Sequence, residues 1–362
     1  MAKLRVGIIG CGGIANSKHM SALKKIEEVE MVAFCDIILE KAEKAVKEYG
    51  TPDAKAYEDY KELLKDETID VVHVCTPNRS HSFITIDALE SGKHVMCEKP
   101  MAKTYEEAVK MCEASERTGK KLSIGYQNRN TAENLYVKAC AEKGEFGDMY
   151  YANAYAVRRR AVPTWGVFLN EYEQGGGPLI DIGTHALDMT LWIMNNYEPE
   201  MVVGQTFRKL ADKEEQGNDW GPWDPKKYTV EDSAFGFIKM KNGAVINLQS
   251  SWALNVADPD EACYTICGDE GGVDTRNDKV VVNYIKNQRQ VIETPSFESG
   301  GAAFFEGIKC DDPKDVEARK WVNSILKDTE VPVPPRQALC VTRILEGIYE
   351  SAKTGSPVYF KD

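Results

Sequence analysis

Gly10-Cys11-Gly12-Gly13-Ile14-Ala15 follows the apolar run Leu4 to Ile9 and opens a stretch of helical pattern, the G-x-G-x-x-A spacing of a dinucleotide loop. In such a loop Gly10 permits the tight turn, Gly12 lets backbone approach a pyrophosphate, and Ala15 keeps the helix close to its sheet. Gly13 and Ile14 belong to the helix start whose N–H groups would hold the diphosphate. Glycines after a strand also make plain turns, so the match draws its weight from Asp36, at the end of the second strand-like run. That carboxylate is placed to accept hydrogen bonds from both adenosine ribose hydroxyls, or alternatively to cap the helix that follows. A 2′-phosphate would be repelled there, and the next residues, Ile37 and Ile38, offer it no partner. The expected cofactor is NAD.

Two further segments carry groups able to move protons. Thr76-Pro77-Asn78, with His81 shortly after, closes one strand-like run, and Glu98-Lys99-Pro100 closes the next. Ligands of doubly wound sheets bind beyond the carboxyl ends of the strands, so these residues are expected to flank the nicotinamide half of the cofactor. Glu98 is expected beside the nicotinamide ribose and His81 beside the diphosphate or ribose, and each equally suits hydrogen bonding within its own loop. Gln127 is expected to approach the nicotinamide, with Asn128 and Arg129 tying the two domains together. In Gly175-Gly176-Gly177-Pro178-Leu179-Ile180-Asp181-Ile182-Gly183-Thr184-His185, Asp181 and His185 stand four apart, on one face of a helix. Asp181 alternatively caps a helix after the glycine run, and His185 alternatively packs in a core. Asp181, His185 and Asp188 make a conceivable metal set, but three ligands and an open position leave redox chemistry unexplained, so no metal is expected. Cys263 and Cys267 have no histidine nearby to complete a zinc site.

These groups need a scaffold. Leu4 to Ile9, Met31 to Cys35, Val71 to Cys75, His94 to Cys97 and Leu122 to Gly125 read as strands, and Ile38 to Tyr49, Ser80 to Ser91 and Thr104 to Thr118 as amphipathic helices between them. The series predicts an α/β fold with a doubly wound parallel sheet, a Rossmann domain over residues 1–125. Beyond it, Met149 to Val157, Ala234 to Met240 and Ala244 to Ser251 are longer strand-like runs. Lys241-Asn242-Gly243 between the last two predicts a hairpin with a primed turn, hence an antiparallel sheet in a second domain over residues 126–362. One helix is expected at Asp181 to Met194. The polar stretch Lys209 to Lys227 reads as a surface excursion, and Val331-Pro332-Val333-Pro334-Pro335 as a stiff connector before a last helix, Gln337 to Ala352.

Composition narrows the partners. The chain has 362 residues and a net charge of −12, which repels phosphate backbones and anionic lipid, so neither nucleic acid nor membrane is expected to bind. No apolar run approaches the ~18 residues of a membrane span, and the first strand begins within a few residues of the start. A cytoplasmic protein is expected. The 10 cysteines are scattered, several in strand-like runs, and are expected as reduced thiols.

The glycine loop, Glu98-Lys99-Pro100, Gly125-Tyr126-Gln127-Asn128-Arg129 and the segment from Gly175 to Asp188 stand in the order found in the glucose-fructose oxidoreductase, inositol dehydrogenase and rhizopine catabolism (Gfo/Idh/MocA) family, which the chain resembles over nearly its whole length. The resemblance implies a C-terminal α/β domain with a large open, mostly antiparallel sheet, serving substrate binding and oligomerisation, and a homodimer or homotetramer packed through it. It implies an NAD-dependent dehydrogenase acting on a secondary ring hydroxyl of a sugar, cyclic polyol or glycoside, such as C3 of a hexose. Lys99 matches the family's catalytic lysine, and Asp181 and His185 match its D-x-x-x-H pair. A neutral imidazole, with an unperturbed pKa of ~6.5, suits His185 as the base, Asp181 would stabilise the imidazolium or orient a hydroxyl, and Lys99 would donate to the reacting oxygen. Arg158, in the basic run Arg158-Arg159-Arg160, is expected to set local salt bridges or to face substrate as a donor, and Trp165 to stack on a sugar ring or the nicotinamide, or else to pack at an interface or in the core. Other functions open to such a chain are a glycosidase that uses NAD for transient oxidation and elimination, and a dinucleotide-binding sensor without catalysis.

Overall fold

Runs of β-branched and apolar residues separated by amphipathic helices bury both faces of a sheet at once, which is what parallel pairing requires. The structure is a computed structural model that describes residues 3–213, 217–297 and 312–361. Its chain divides into two units, Met1–Asn130 with Asp311–Leu339, and Thr131–Cys310 with Cys340–Asp362.

In the first unit, β1 (Leu4–Ile9), β2 (Val29–Cys35), β3 (Lys55–Tyr57), β4 (Val71–Val74), β5 (His94–Cys97) and β6 (Leu122–Ile124) form a parallel six-stranded sheet in the order β3-β2-β1-β4-β5-β6. The order reverses between β1 and β4, the switch point at which doubly wound sheets bind ligands. β3 was not apparent from the pattern, because three residues at an edge are too few to show a period. Helix Tyr105–Thr118 starts on a capping box, Thr104 and Glu107 each accepting the other's backbone N–H, and stops at left-handed Gly119. Helix Pro313–Leu326 also belongs to this unit, and its fully buried Trp321 shares a core cluster with Val6, Ile8 and Val71.

A buried ion cluster joins three distant parts of this unit. The Lys18 ammonium lies 2.6 Å from Glu98 Oε1, 2.9 Å from Glu317 Oε2 and 3.1 Å from the Gly125 carbonyl. Three acceptors match its three protons. Glu98 Oε1 also lies 2.7 Å from His19 Nε2, and His19 Nδ1 lies 2.8 Å from His73 Nδ1. Burial, with His19 and Lys18 nearby, drives His73 well below the ordinary histidine pKa, so its ring is neutral.

In the second unit, β7 (Met149–Val157), β8 (Pro199–Phe207), β9 (Ser233–Met240), β10 (Val245–Ser251), β11 (Glu261–Gly268), β12 (Gly271–Asp274), β13 (Val281–Lys286), β14 (Arg289–Glu293) and β15 (Val358–Tyr359) form a nine-stranded sheet ordered β14-β13-β12-β11-β7-β10-β9-β8-β15. β7 and β10 pair in parallel and every other neighbour is antiparallel. Ala152, Ala154 and Ala156 line the buried face of β7, and their small size admits the helix Thr184–Met194 onto β7 and β11. The β9–β10 hairpin forms as expected, but its turn is not a primed one. Gly243 N bonds to the Met240 carbonyl, and within the turn only Gly243 takes a positive φ, +91°, so the loop is a turn closed by a left-handed glycine. Part of the expected excursion, residues 214–216, lies outside the described residues. No helix among the described residues is long and apolar enough to cross a membrane.

Replacing Lys18 with Met leaves two carboxylates facing each other in the core. Breaking a buried ion network by removing one partner costs about 3–5 kcal/mol. Urea unfolding of Lys18→Met is therefore expected to show a loss of that size, and a loss below about 1 kcal/mol would remove the cluster from any stabilising role.

Candidate active site

The first unit builds a dinucleotide loop at the switch point between β1 and β4. Gly10 takes φ +90°, and a Cβ there would stand 2.7 Å from the Cys75 carbonyl, so the two strand-end loops touch only because residue 10 has no side chain. The next residues lead into a π-helical segment, Ala15–Met20. Asn16 Nδ2 fixes the loop by donating to the carbonyls of Cys11 and Gly12 at 3.0 and 2.8 Å. A Cβ added to Gly12 or Gly13 would meet nothing within 4 Å, so this backbone faces open space where a pyrophosphate fits.

Asp36 does more than either expected role. Its Oδ2 accepts from Cys11 N at 2.9 Å and its Oδ1 from Ile38 N at 2.9 Å. The helix Leu39–Tyr49 has Ile38 at its N-cap and no side-chain cap, so the capping alternative falls away. Each carboxylate oxygen keeps a lone pair for a ribose hydroxyl while the carboxylate braces the loop. Ile37 and Ile38 are exposed beside it, at 85% and 46%. The loop, the open glycines and the braced acid together fit a dinucleotide.

The residues at the ends of β4 and β5 divide. Glu98 is buried and its Oε1 serves the ion cluster, while Oε2 accepts the Lys99 backbone N–H at 3.1 Å. Burial alone would raise its pKa, but Lys18 and His19 hold it well below the carboxylate range. His81 is buried too, with Nδ1 2.7 Å from the Pro100 carbonyl and Nε2 2.8 Å from the Thr76 carbonyl. Two carbonyls favour an imidazolium, yet burial pulls the pKa of His81 down. The ring ties the Thr76 loop to the Glu98-Lys99-Pro100 loop. Pro77 stands at the N-cap of the helix Asn78–Glu90, which gives this loop its exit. Lys99 is half-buried, unlike its neighbours Glu98 and Pro100, which are buried. Gln127 is half-buried in a 3₁₀ turn, Gln127–Asn130, whose buried Arg129 donates to Gln337 Oε1 at 2.6 Å.

In the second unit, Asp181 and His185 are held on a helix that changes type between them. Leu179–Gly183 is π-helical and Thr184–Met194 is α-helical, so the single α-helix expected from Asp181 starts earlier and with a wider turn. Such π segments recur at functional sites. From Gly176 to Leu191 every residue is buried except Asp181 and His185. Asp188, the third member of the conceivable metal set, is 1% exposed, and no group of three such side chains among the described residues is placed to hold a metal.

The supports of this helix were not apparent from the sequence. Trp252 Nε1, fully buried, donates to Asp181 Oδ2 at 3.0 Å. Ser250 Oγ donates to the Pro178 carbonyl at 2.6 Å. Glu231 accepts from Gly177 N at 2.7 Å, Leu179 N at 3.2 Å and the Tyr349 hydroxyl at 2.9 Å. Packing around the Glu231 carboxyl raises its pKa to about 7 against these donors.

Of the two candidate substrate contacts, Arg158 is committed within the protein. It forms a forked pair with Glu261 and lies 5.1 Å over the Trp220 ring. Trp165 is 51% exposed, and its ring meets Trp220 edge-on at 4.8 Å. Asn218 holds the two loops together, accepting from Val162 N and donating to the Val162 carbonyl.

A reversing parallel sheet with a glycine loop at its switch point, joined to an α/β unit with a mixed sheet, defines a two-part Rossmann-type dinucleotide-binding protein. Residues 4–126 match the model of the GFO/IDH/MocA oxidoreductase family's NAD-binding Rossmann fold, and residues 138–360 match that of its C-terminal alpha/beta domain. The chain belongs to this oxidoreductase family. It is 34% identical over 356 residues, 98% of this chain and 97% of the other, to D-glucoside 3-dehydrogenase of Escherichia coli strain K12. It is 31% identical over 252 residues, 68% of this chain and 67% of the other, to glucose-6-phosphate 3-dehydrogenase of Bacillus subtilis strain 168. Levoglucosan dehydrogenase in complex with NADH shares the fold, with TM-score 0.83 at 22% identity over 99% of this chain and 100% of that one.

Asp36→Ala removes the loop brace and a ribose acceptor together. Hydrogen bonds to a charged group contribute about 1.5–3 kcal/mol, so NAD affinity measured calorimetrically is expected to fall by about 10-fold or more. Affinity retained within about threefold would contradict the role of Asp36.

Proposed function

We propose that this protein oxidises a secondary ring hydroxyl, C3 of a D-glucoside or related hexose, with Lys99, Asp181 and His185 carrying the proton and charge. The observation that carries this reading is the partial exposure of Asp181 and His185 alone in the otherwise buried stretch from Gly176 to Leu191, in a segment matching the family's D-x-x-x-H pair. Two relatives named as 3-dehydrogenases of glucose derivatives support the ring position.

NAD, held by the glycine loop, Asp36 and the loops after β4 and β5, supplies the two-electron acceptor. The chain's own residues handle everything else. His185 takes the hydroxyl proton as general base, and the Asp181 carboxylate, aimed by Trp252, stabilises the positive ring that results. The Lys99 ammonium donates to the substrate oxygen as negative charge develops there. Trp165 offers an apolar ring face to the C–H side of a sugar, and Arg158 contributes by fixing Trp220 beside it.

The same reading makes the protein a cytoplasmic homo-oligomer. Exposed Val203 and Phe237 on neighbouring strands support packing through the nine-stranded sheet, and the described cysteines, none of them in a disulfide, support a reducing compartment.

Incubation with NAD and a panel of glucosides is expected to yield NADH and the 3-keto product in equal amounts. General acid–base groups contribute about 10²–10⁴-fold, so Lys99→Ala and His185→Ala are each expected to lose turnover on that scale with NAD affinity kept. Near wild-type turnover in both would overturn the assignment. Trp165→Ala is expected to raise KM about 5- to 20-fold with kcat little changed, as loss of ring stacking requires. A fall in kcat at constant KM would instead place Trp165 in the chemical step.

A further inference from the structure

We propose that Glu231 and Tyr349 form a positioning device that sets where the helix bearing Asp181 and His185 begins. The first N–H groups of any helix lack internal partners, and a side chain at the N-cap ordinarily supplies one. Here the residue before the helical run is Pro178, which provides no side-chain cap. Glu231, 54 positions away from Gly177 in sequence, takes that place, with its two oxygens on the N–H groups of Gly177 and Leu179. The Tyr349 hydroxyl donates to the oxygen that serves Leu179, so the carboxylate cannot swing aside without breaking a third bond.

The glycine run records how closely this device fits. A Cβ on Gly176 would stand 2.0 Å from the Tyr349 oxygen, and one on Gly177 would stand 2.2 Å from the Glu231 carbonyl. Neither position tolerates a side chain, so the backbone of 176–177 is pressed against the same two residues that hold the next turn. Asp181 N then bonds to the Gly177 carbonyl at 3.0 Å, which passes the placement of Gly177 directly to the first residue of the D-x-x-x-H pair. Trp252 fixes the Asp181 side chain, but it has no hold on where the helix starts. Burial raises the Glu231 pKa to about 7 even against these donors.

This inference rests on the reading of Asp181 and His185 as the proton-handling pair, and it is tested first without turnover. In Glu231→Gln the amide nitrogen must face one of the backbone donors. In Tyr349→Phe both backbone bonds to Glu231 survive, while the tether and the hydroxyl's contact with the Ile180 N–H are lost. The imidazole Cε1–H resonance of His185, identified by its absence in His185→Gln, is followed by NMR in the protein without cofactor. Both substitutions are expected to move the resonance and its titration, Glu231→Gln more than Tyr349→Phe. In steady-state assays both are expected to lower kcat, by about 10- to 100-fold for Glu231→Gln, with KM for NAD within about twofold, since small misplacements of reacting groups cost on that order. An unmoved His185 resonance in both folded variants would overturn the device. If the resonance moves while Lys99→Ala and His185→Ala leave turnover intact, positioning stands and the proton-handling reading fails.

Discussion

The Lys18 ammonium, enclosed by two carboxylates and a carbonyl, is the constraint on which the first unit turns. A charge taken out of water is tolerated only where its surroundings repay the desolvation, and here that demand pins three segments at one point. Lys18 leaves the glycine-loop helix, Glu98 precedes Lys99 at the end of β5, and Glu317 sits on the helix Pro313–Leu326. The cofactor loop and the candidate catalytic lysine are thereby fixed relative to one another by a buried ion cluster. His19 and His73 extend the cluster beneath the sheet, and His81 adds a second clasp between the loops after β4 and β5.

The second unit solves the same problem with one buried carboxyl and two side-chain donors in place of an ion cluster. Its helix is held from the ends of β9 and β10 by Glu231, Ser250 and Trp252, each reaching a different atom between Gly177 and Asp181. The π-helical turn between Gly177 and His185 is the outcome. A wider turn lets Gly183 lie against Ser250, where an added Cβ would come within 3.0 Å of its hydroxyl oxygen. Both units thus place a π-helical segment where the chemistry-bearing residues begin, at Ala15–Met20 and at Leu179–Gly183.

Much of this was legible in the residues. The glycine loop could be read because its strand, turn and helix are local and each glycine has a local cause. Asp181 and His185 could be read because four-residue spacing on a helix is nearly preserved by a π turn. Other features depend on partners far away in sequence. Glu98 reads as a neighbour of the nicotinamide ribose or a hydrogen-bonding residue of its own loop, and its inward turn follows from the ion pair with Lys18 rather than from its own neighbours. Glu231 precedes a strand in an unremarkable acidic pair, and nothing near it predicts the two N–H groups it meets. Asn242-Gly243 carried the right hairpin but the wrong turn, since Asn242 uses its side chain to accept from Ala244 N instead of adopting a positive φ. Lys18 and His19 carried a signal that was readable: His19 stands one helical turn from Ala15 and therefore on the sheet-facing side.

Trp321 and Glu317 lie almost 200 residues beyond β6 in the order of synthesis, yet the first sheet's core and its central ion depend on them. A nascent chain emerging from the ribosome displays all six parallel strands while the seam for Trp321 stays open and Lys18 lacks one counter-charge. Domains usually mature in the order in which they are translated. Here the earliest-made sheet waits for one of the last helices, so its completion is a late event, and chaperone protection of the unfinished seam has a physical reason to persist until then.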